Sequence, residues 1–365
     1  MGAAAPALFP AVRGSGLRIG LGGAALGNLF EALSDADAEA VVAAAWSDGC
    51  RSFDTAPHYG NGLSEHRVGR ALRARAGDGA HARIGPVLNA EAGFVLSSKV
   101  GRLLLPHSAA PRDQHGYIGV LPFVQRWDYS AAGTRRSVED SLQRLGLARL
   151  SVVYVHDLDA ANHGERAPQV LRQVLDQTLP ALRRLQQEGL VGAIGLGVND
   201  VAVVQQVLRH ADLDALLLAG RHTLIDHSAL HAGLLADCVR RGVRIALGGV
   251  FNSGILATGV RGPHAATFNY APATAEWRAR TAAIEAVCDG FGVPLRAAAL
   301  QFPLAHDAVE IVMVGPRSVA QWADCTALMA APVPAAFWSA LRERGLLPDS
   351  APVPGGATRG AGSSP

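Results

Sequence analysis

The stretch RSFDTAPHYGNGLSEHRVGRAL, residues 51–72, holds a whole structural unit in a short span. A brief apolar run, Arg51–Phe53, reads as a strand that stops at an acid, Asp54. A proline and glycines then break the chain, and Ser64–Arg75 has the spacing of an amphipathic helix. Ser64 is placed to cap that helix, with Arg67 instead of Glu at the capping-box position. One such unit cannot bury its own strand. Its neighbours decide the fold.

The same order returns along the chain. Apolar runs at Leu17–Leu21, Phe94–Ser98, Ser151–Val155, Val191–Gly195, Ala215–Leu218, Val243–Leu247 and Glu310–Val314 each precede a helical pattern. Those helices are predicted over Asp35–Ser47, Thr134–Leu145, a segment ending at Glu188, Val201–His210, Ser228–Arg241, Thr274–Gly290 and Ser318–Met329. Gly146 and Gly189 stand where helix C-termini favour glycine. With the opening unit this makes eight strand–helix pairs without a break in composition. Such alternation demands a parallel sheet with crossover helices, and eight units predict an α/β fold, a closed (β/α)8 TIM barrel. The single domain is expected over residues 17–346, with a long loop after strand 3 and an extra C-terminal helix at Ala335–Arg344. Residues 1–16 are read as an N-terminal extension. Residues 347–365, rich in Gly, Pro, Ala and Ser from Asp349 on, are expected to be disordered.

A Rossmann domain is the rival, because GLGGAALG (residues 20–27) invites a dinucleotide reading. Position 25 is alanine, so G-x-G-x-x-G fails, and no helical pattern begins before Asp35. A tight glycine loop at a barrel mouth fits better.

Composition excludes several classes of function. The chain has 365 residues, 49% hydrophobic and 18% charged, with a net charge of +2. That balance gives no electrostatic case for nucleic acid or for an anionic membrane surface. No apolar run approaches the roughly 20 residues that span a bilayer. The opening MGAAAPALFPAVRGSG has prolines where a signal peptide needs an unbroken apolar core. Cys50, Cys238, Cys288 and Cys325 lie too far apart in sequence for a zinc or dithiol motif. A cytoplasmic protein with reduced, mostly buried cysteines is expected.

The only lysine in the chain is Lys99, in FVLSSKVG. Arginine serves everywhere else, and chance alone could leave one lysine in such a composition. Its place argues for chemistry. Barrel enzymes carry their reacting groups where strands end and loops begin. Here Asp54 ends strand 2 with Tyr59 five residues on, Lys99 ends strand 3, and His156 and Asp157 end strand 4. An ammonium is a compact charge able to shift a neighbour's proton affinity, as a broad guanidinium is not.

FDTAPHYGNGLSEHRVGRAL, SSKVGR, SVEDSLQRLGLARLSVVYVHD and IVMVGPRS, in that order over roughly residues 17–330, resemble the aldo-keto reductases. The resemblance implies an oxidoreductase using NADP or NAD, without a metal, whose catalytic residues fall on Asp54, Tyr59, Lys99 and His156. Tyr59 would be the general acid–base, its phenol pulled down from about 10 by Lys99. Asp54 would hold Lys99, and His156 would bind the oxygen being transformed. For the cofactor, the resemblance implies Asn199 on the nicotinamide carboxamide, beside Val198 where serine is usual. It puts His222 under the nicotinamide ring, where tyrosine is common. It also implies Arg317 and Ser318 on phosphate, Asp324 near the adenine beside Cys325, and Gly315 and Gln321 in the same loop. The Arg317–Ser318 pair leads to the expectation that NADP binds at least as well as NAD.

The long loop from Gly101 to Gly133 carries Trp127 and Tyr129, expected to wall a substrate, and FNSGILATG adds Asn252 and Ser253. LPF…DYS, LAGRHTL and GGVFNSGILATG resemble the sugar-dehydrogenase branch of the family. That implies oxidation of a cyclic hemiacetal at its anomeric carbon, as in L-fucose, D-arabinose or L-galactose, to a lactone. Pyridoxal, which also forms a cyclic hemiacetal, and general aldehyde or ketone reduction remain open. A Schiff-base aldolase using Lys99 and a nicotinamide-binding subunit without turnover are the more distant alternatives.

Overall fold

Short polar residues set the helix starts. Ser34, Ser130, Asp200, Thr274 and Ser318 each accept, through the side chain, a backbone amide three residues on. Each such cap contributes ~1 kcal/mol. The computed structural model describes residues 8–76, 93–262 and 265–355. Its strands are β1 Ile19–Gly22, β2 Ser52–Asp54, β3 Val95–Val100, β4 Arg102–Pro106, β5 Phe123–Trp127 and β6 Leu150–His156. They continue with β7 Val191–Val198, β8 Ala215–Ala219, β9 Arg244–Gly248, β10 Thr267–Phe268, β11 Ala271–Pro272 and β12 Val309–Val314. Eight of them close in the order β1-β12-β9-β8-β7-β6-β3-β2, every pair parallel, with helices outside. The fold is a (β/α)8 barrel.

Strand alternation then sorts the side chains. On β6, Val152 and Tyr154 join the cluster inside the barrel, while Val153 and Val155 pack outward against the helices. His156 continues the inward row. On β3, Val95 lies inside, Leu96 and Val100 outside, and Ser97 and Lys99 follow Val95 inward. Asp54 is the inward residue at the end of β2, opposite Ser97. Asp54, Lys99 and His156 are therefore the top layer of the barrel interior. The glycines of β7 make room for them. A Cβ on Gly197 would lie 3.2 Å from Tyr154 Cβ and 3.4 Å from Lys99 Cε.

The other end of the barrel is closed by residues read as an extension. Leu8 and Phe9 are buried with Val152, Tyr154, Leu217, Ile311 and Met313, and form its floor. A second correction concerns the C-terminus. Ala351 and Val353 are buried beside Phe337, Trp338 and Leu341, and the Ala351 carbonyl accepts from Arg342 Nη2 at 2.5 Å. Apolar side chains interspersed among the prolines hold 349–355 to the terminal helix, so the expected disorder does not apply there. Residues 1–7 and 356–365 lie outside the described residues.

The segment expected as a long loop contains a β-hairpin. Arg102 pairs with Trp127 and Pro106 with Phe123, antiparallel, so β4 and β5 rise from the mouth beside the end of β3. Ser64 also departs from expectation. Its helix spans Leu63–Ala76, and the buried Ser64 hydroxyl donates to the Gly23 carbonyl at 2.8 Å instead of capping. The four cysteines are free and buried.

Candidate active site

Lys99 is 1% exposed, which makes an uncompensated charge untenable there. Its Nζ lies 3.0 Å and 2.8 Å from Asp54 Oδ1 and Oδ2, and 2.9 Å from the Thr55 carbonyl. An ammonium has three donors, and all three are used. Ser97 Oγ donates to Asp54 Oδ1 at 2.6 Å and steadies the carboxylate. The ammonium also lies 4.6 Å from the centre of the Tyr59 ring.

Tyr59 is placed by backbone contact between two glycine loops. A Cβ on Gly27 would lie 2.6 Å from the Tyr59 carbonyl carbon, and one on Gly60 would lie 2.5 Å from the Gly27 oxygen. GLGGAALG thus presses against the turn that carries the phenol. The Tyr59 ring stands edge-on to His156, with centroids 6.2 Å apart. Its pKa is pushed well above the ordinary value by burial first, then by the Asp54 carboxylate, with Arg102 pulling the other way. The donors of Lys99 go to Asp54 and the Thr55 carbonyl, so its ammonium acts on the phenol through space, against burial and the Asp54 charge.

His156 sits at the end of β6. Its Nδ1 is 3.0 Å from Arg102 Nη1, and Arg102 Nη2 donates to Asp157 Oδ2 at 2.6 Å. The guanidinium lies 3.8 Å from the centre of the Trp127 ring. Arg102 was missed as a site residue although it stands in the quoted SSKVGR. Only the hairpin, which turns the chain back over β6, shows where it goes. Burial, followed by the charges of Arg102 and Lys99, pushes the His156 pKa well below its usual value.

Tyr59, His156 and Arg102 border a cavity of about 670 Å³ together with Trp127, Gln125 and His58. His58 Nδ1 meets Gln125 Oε1 at 3.0 Å, and burial pushes its pKa down to about 3. The walls combine aromatic faces with hydrogen-bonding tips. Tyr129 is absent from them. Its ring is buried where Gly101, at φ 117°, leaves no Cβ, and its hydroxyl lies 2.8 Å from both the His156 and Asp157 carbonyls. The residue expected to wall a substrate instead braces the backbone under His156.

A groove of about 580 Å³ adjoins this cavity, and Asn199, Ala219, Phe30 and Tyr270 border both. Gly315, Arg317, Gln321 and Asp324 line the groove, as do Asn252 and Ser253. The latter pair, expected at the substrate, lies on the groove side, in a turn where Gly249, Asn252, Ser253 and Gly254 take positive φ. Asn252 Oδ1 is buried at the groove wall with no protein partner. Ser318 borders neither space; its hydroxyl caps the helix Val319–Ala330. His222 is fully buried against Phe302 and His306 and borders neither space, so it cannot lie under a ring held in the groove. Beside Phe30, the aromatic at the junction is Tyr270. It sits at the tip of the β10–β11 hairpin, with its amide donating to Ser253 Oγ at 3.0 Å. No local pattern marked that hairpin.

Comparison with known proteins places this geometry. The Aldo/keto reductase family model matches residues 18–344. The chain is 38% identical to a pyridoxal 4-dehydrogenase of Microbacterium luteolum, over 90% of this chain and 94% of that one. It is 37% identical to a D-threo-aldose 1-dehydrogenase of a Pseudomonas species, over 93% and 98%. Among solved structures, an aldo-keto reductase of Bacillus halodurans in its holo form aligns with a TM-score of 0.65 at 20% identity. That alignment covers 91% of this chain and 94% of the other, and speaks to the fold alone. With barrel, charged mouth and near full-length matches in agreement, the chain belongs to the aldo-keto reductase family and is an oxidoreductase acting on CH–OH groups.

Proposed function

We propose that this protein oxidises the anomeric carbon of a neutral aldose to a lactone, passing hydride to NAD. The observation that carries the reading is the meeting of cavity and groove. A phenol and an imidazole face one polar cavity, which joins an extended groove at Asn199 and Tyr270. The groove suits a dinucleotide: Gly249 and Gly254 take positive φ at its wall, and Asn252 Oδ1 offers an unused acceptor. Asn199 is positioned for the nicotinamide end, and Arg317, Gln321 and Asp324 for the adenosine end. The bound dinucleotide supplies a hydride acceptor. The chain's residues do the rest.

His156 orients the hemiacetal hydroxyl, and Tyr59 takes its proton as hydride leaves the same carbon. Tyr59 can take that proton only as phenolate, and its raised pKa keeps it a phenol until the pH is high, so oxidation should accelerate with rising pH through the alkaline range. The reverse reduction, which needs the protonated phenol, should not. The cavity favours an uncharged substrate, because Arg102 is already paired with Asp157 and Lys99 with Asp54. Phosphorylated sugars would find no unpaired cation among these groups.

The choice of NAD follows from Glu31. Its Oε2 lies 2.5 Å from Arg317 Nη1, so the cation expected to read a 2′-phosphate is already neutralised, and a carboxylate stands beside it. Free ribose hydroxyls can donate to that carboxylate, whereas a phosphate is repelled. The pyridoxal relative and the aromatic faces of Trp127 and Tyr117 favour pyridoxal as the second reading.

The test is absorbance at 340 nm over a panel of free aldoses, aldose phosphates and pyridoxal, each with NAD and NADP. The expected result is lactone formation from a free aldose, faster with NAD. Turnover confined to pyridoxal, or to reduction of carbonyls, would replace this reading. Borohydride trapping of a sugar on Lys99 would indicate an aldolase instead.

A further inference from the structure

Arg102 is nearly buried, touches His156, Asp157 and Trp127 at once, and has no role in the mechanism above. Its chemistry settles a question about its neighbour. A guanidinium donates and never accepts, and it stays protonated at any working pH. The imidazole nitrogen 3.0 Å away must therefore be the bare one. With Nδ1 bare, a neutral ring carries its proton on Nε2. That nitrogen is 3.7 Å from Asp157 Oδ2, beyond hydrogen-bond reach, and its ring borders the substrate cavity. We propose that Arg102 is a positioning residue, which locks His156 as the Nε2–H tautomer so that the ring donates to the substrate oxygen.

The surroundings are consistent with one fixed tautomer. Asp157 takes the second arm of the guanidinium at 2.6 Å and balances its charge. Trp127 covers the guanidinium face, as stacking on arginine requires. Tyr129 holds the His156 and Asp157 carbonyls from below, and His163 Nε2 lies 2.8 Å from the Asp157 carbonyl. The remaining titratable groups facing the ring are Lys99 from β3, and His58 and Tyr59 from the loop after β2. Lys99 and His58 act with Arg102 against a second proton on His156. These charges favour the neutral ring, whose single N–H is then the one on Nε2.

The inference rests on His156 as the oxygen-binding group, so its test includes a readout independent of turnover. Long-range nitrogen–proton spectra of the histidine-labelled protein show which ring nitrogen carries a proton, and His156→Asn assigns the signal. The parent should show Nδ1 bare and Nε2 protonated, and should take up a second proton only well below the pH at which a free imidazole does. Arg102→Leu removes the donor that keeps Nδ1 bare and leaves Asp157 unpaired beside the ring, so the ring should take up its second proton at higher pH than in the parent. Its kcat/KM should fall about 10²-fold and gain an inflection where the ring titrates, in addition to the alkaline rise that the parent shows. Arg102→Lys, which keeps a charged donor of similar reach, should recover part of that rate together with the Nε2–H signal. A parent ring protonated on Nδ1 overturns the proposal. So does a leucine variant with the parental tautomer and pH profile, or a lysine variant that regains rate with Nδ1 protonated. Should no sugar be oxidised, the spectra of the parent still decide the tautomer.

Discussion

Tyr154 and His156 lie two residues apart on the same inward face of β6, yet they belong to different regions of the molecule. Below, Tyr154 joins Leu8, Phe9, Ile311 and Met313 in an apolar floor, at whose edge the Phe9 amide donates to the Glu310 carboxylate. Above, His156 joins Lys99, Asp54 and Arg102 in a layer where every charge has a partner. The floor is cohesive because apolar packing is non-directional and dense. The mouth is tolerable only because its groups are paired, since an unpaired buried charge costs several kcal/mol. One end supplies rigidity, and the other converts it into fixed positions for reacting atoms.

The largest effect expected at the mouth comes from Tyr59→Phe. The ring and its packing remain and only the transferable proton goes, so kcat should drop 10²–10⁴-fold with cofactor binding kept. Fluorescence titration with the dinucleotide and a turnover assay check both halves. A variant with parental kcat would remove Tyr59 from the mechanism. Lys99→Arg comes next. A planar guanidinium cannot satisfy both Asp54 oxygens and the Thr55 carbonyl in a pocket shaped for one nitrogen. Folding should survive by circular dichroism while kcat falls about 10²-fold, the cost of a displacement near 1 Å. A mild effect would make the lone lysine an accident of composition.

Phe9→Ala probes the opposite end. Truncating a buried phenylalanine should cost about 3 kcal/mol in chemical denaturation. The kcat of the folded fraction should stay near parental, because the reacting layer is built on the strand ends above. Equal losses of stability and kcat would mean that the two regions are not separable.

Acid provides a test away from both. Burial pushes His222 down to about 3 and His227 to about 4. Both ring nitrogens of His222 lack partners. In the unfolded chain these rings bind a proton near pH 6.5, while the folded protein refuses it. Stability is therefore complete above about pH 6.5 and is lost as pH falls toward 4, by about 1.4 kcal/mol per unit for each ring. Thermal melts at pH 7 and pH 5 should show a smaller drop for His222→Phe than for the parent.

Much of this was legible in the chain. Eight alternating units specify a parallel barrel because each strand is a short apolar run, flanked by turn residues and followed by a period of 3.6. Asp54, Lys99 and His156 were legible because strand ends in a barrel converge whatever the loops do, and Tyr59 through the FDTAPHYG motif that carries the resemblance. Other residues beyond the strand ends were not. Arg102, Tyr129, Tyr270 and His222 lie on hairpins or turns, where direction depends on long-range pairing and not on local period. Tyr129 went under the site, His222 into the core, Tyr270 to the junction of cavity and groove, and Arg102 onto the imidazole. The sequence by itself determined the barrel and the side chains that ring its mouth, since periodicity and strand order are local properties. The tertiary structure alone decided the Tyr59 proton affinity, the Glu31–Arg317 pairing and the His156 partner, because each depends on distances between segments far apart in the chain.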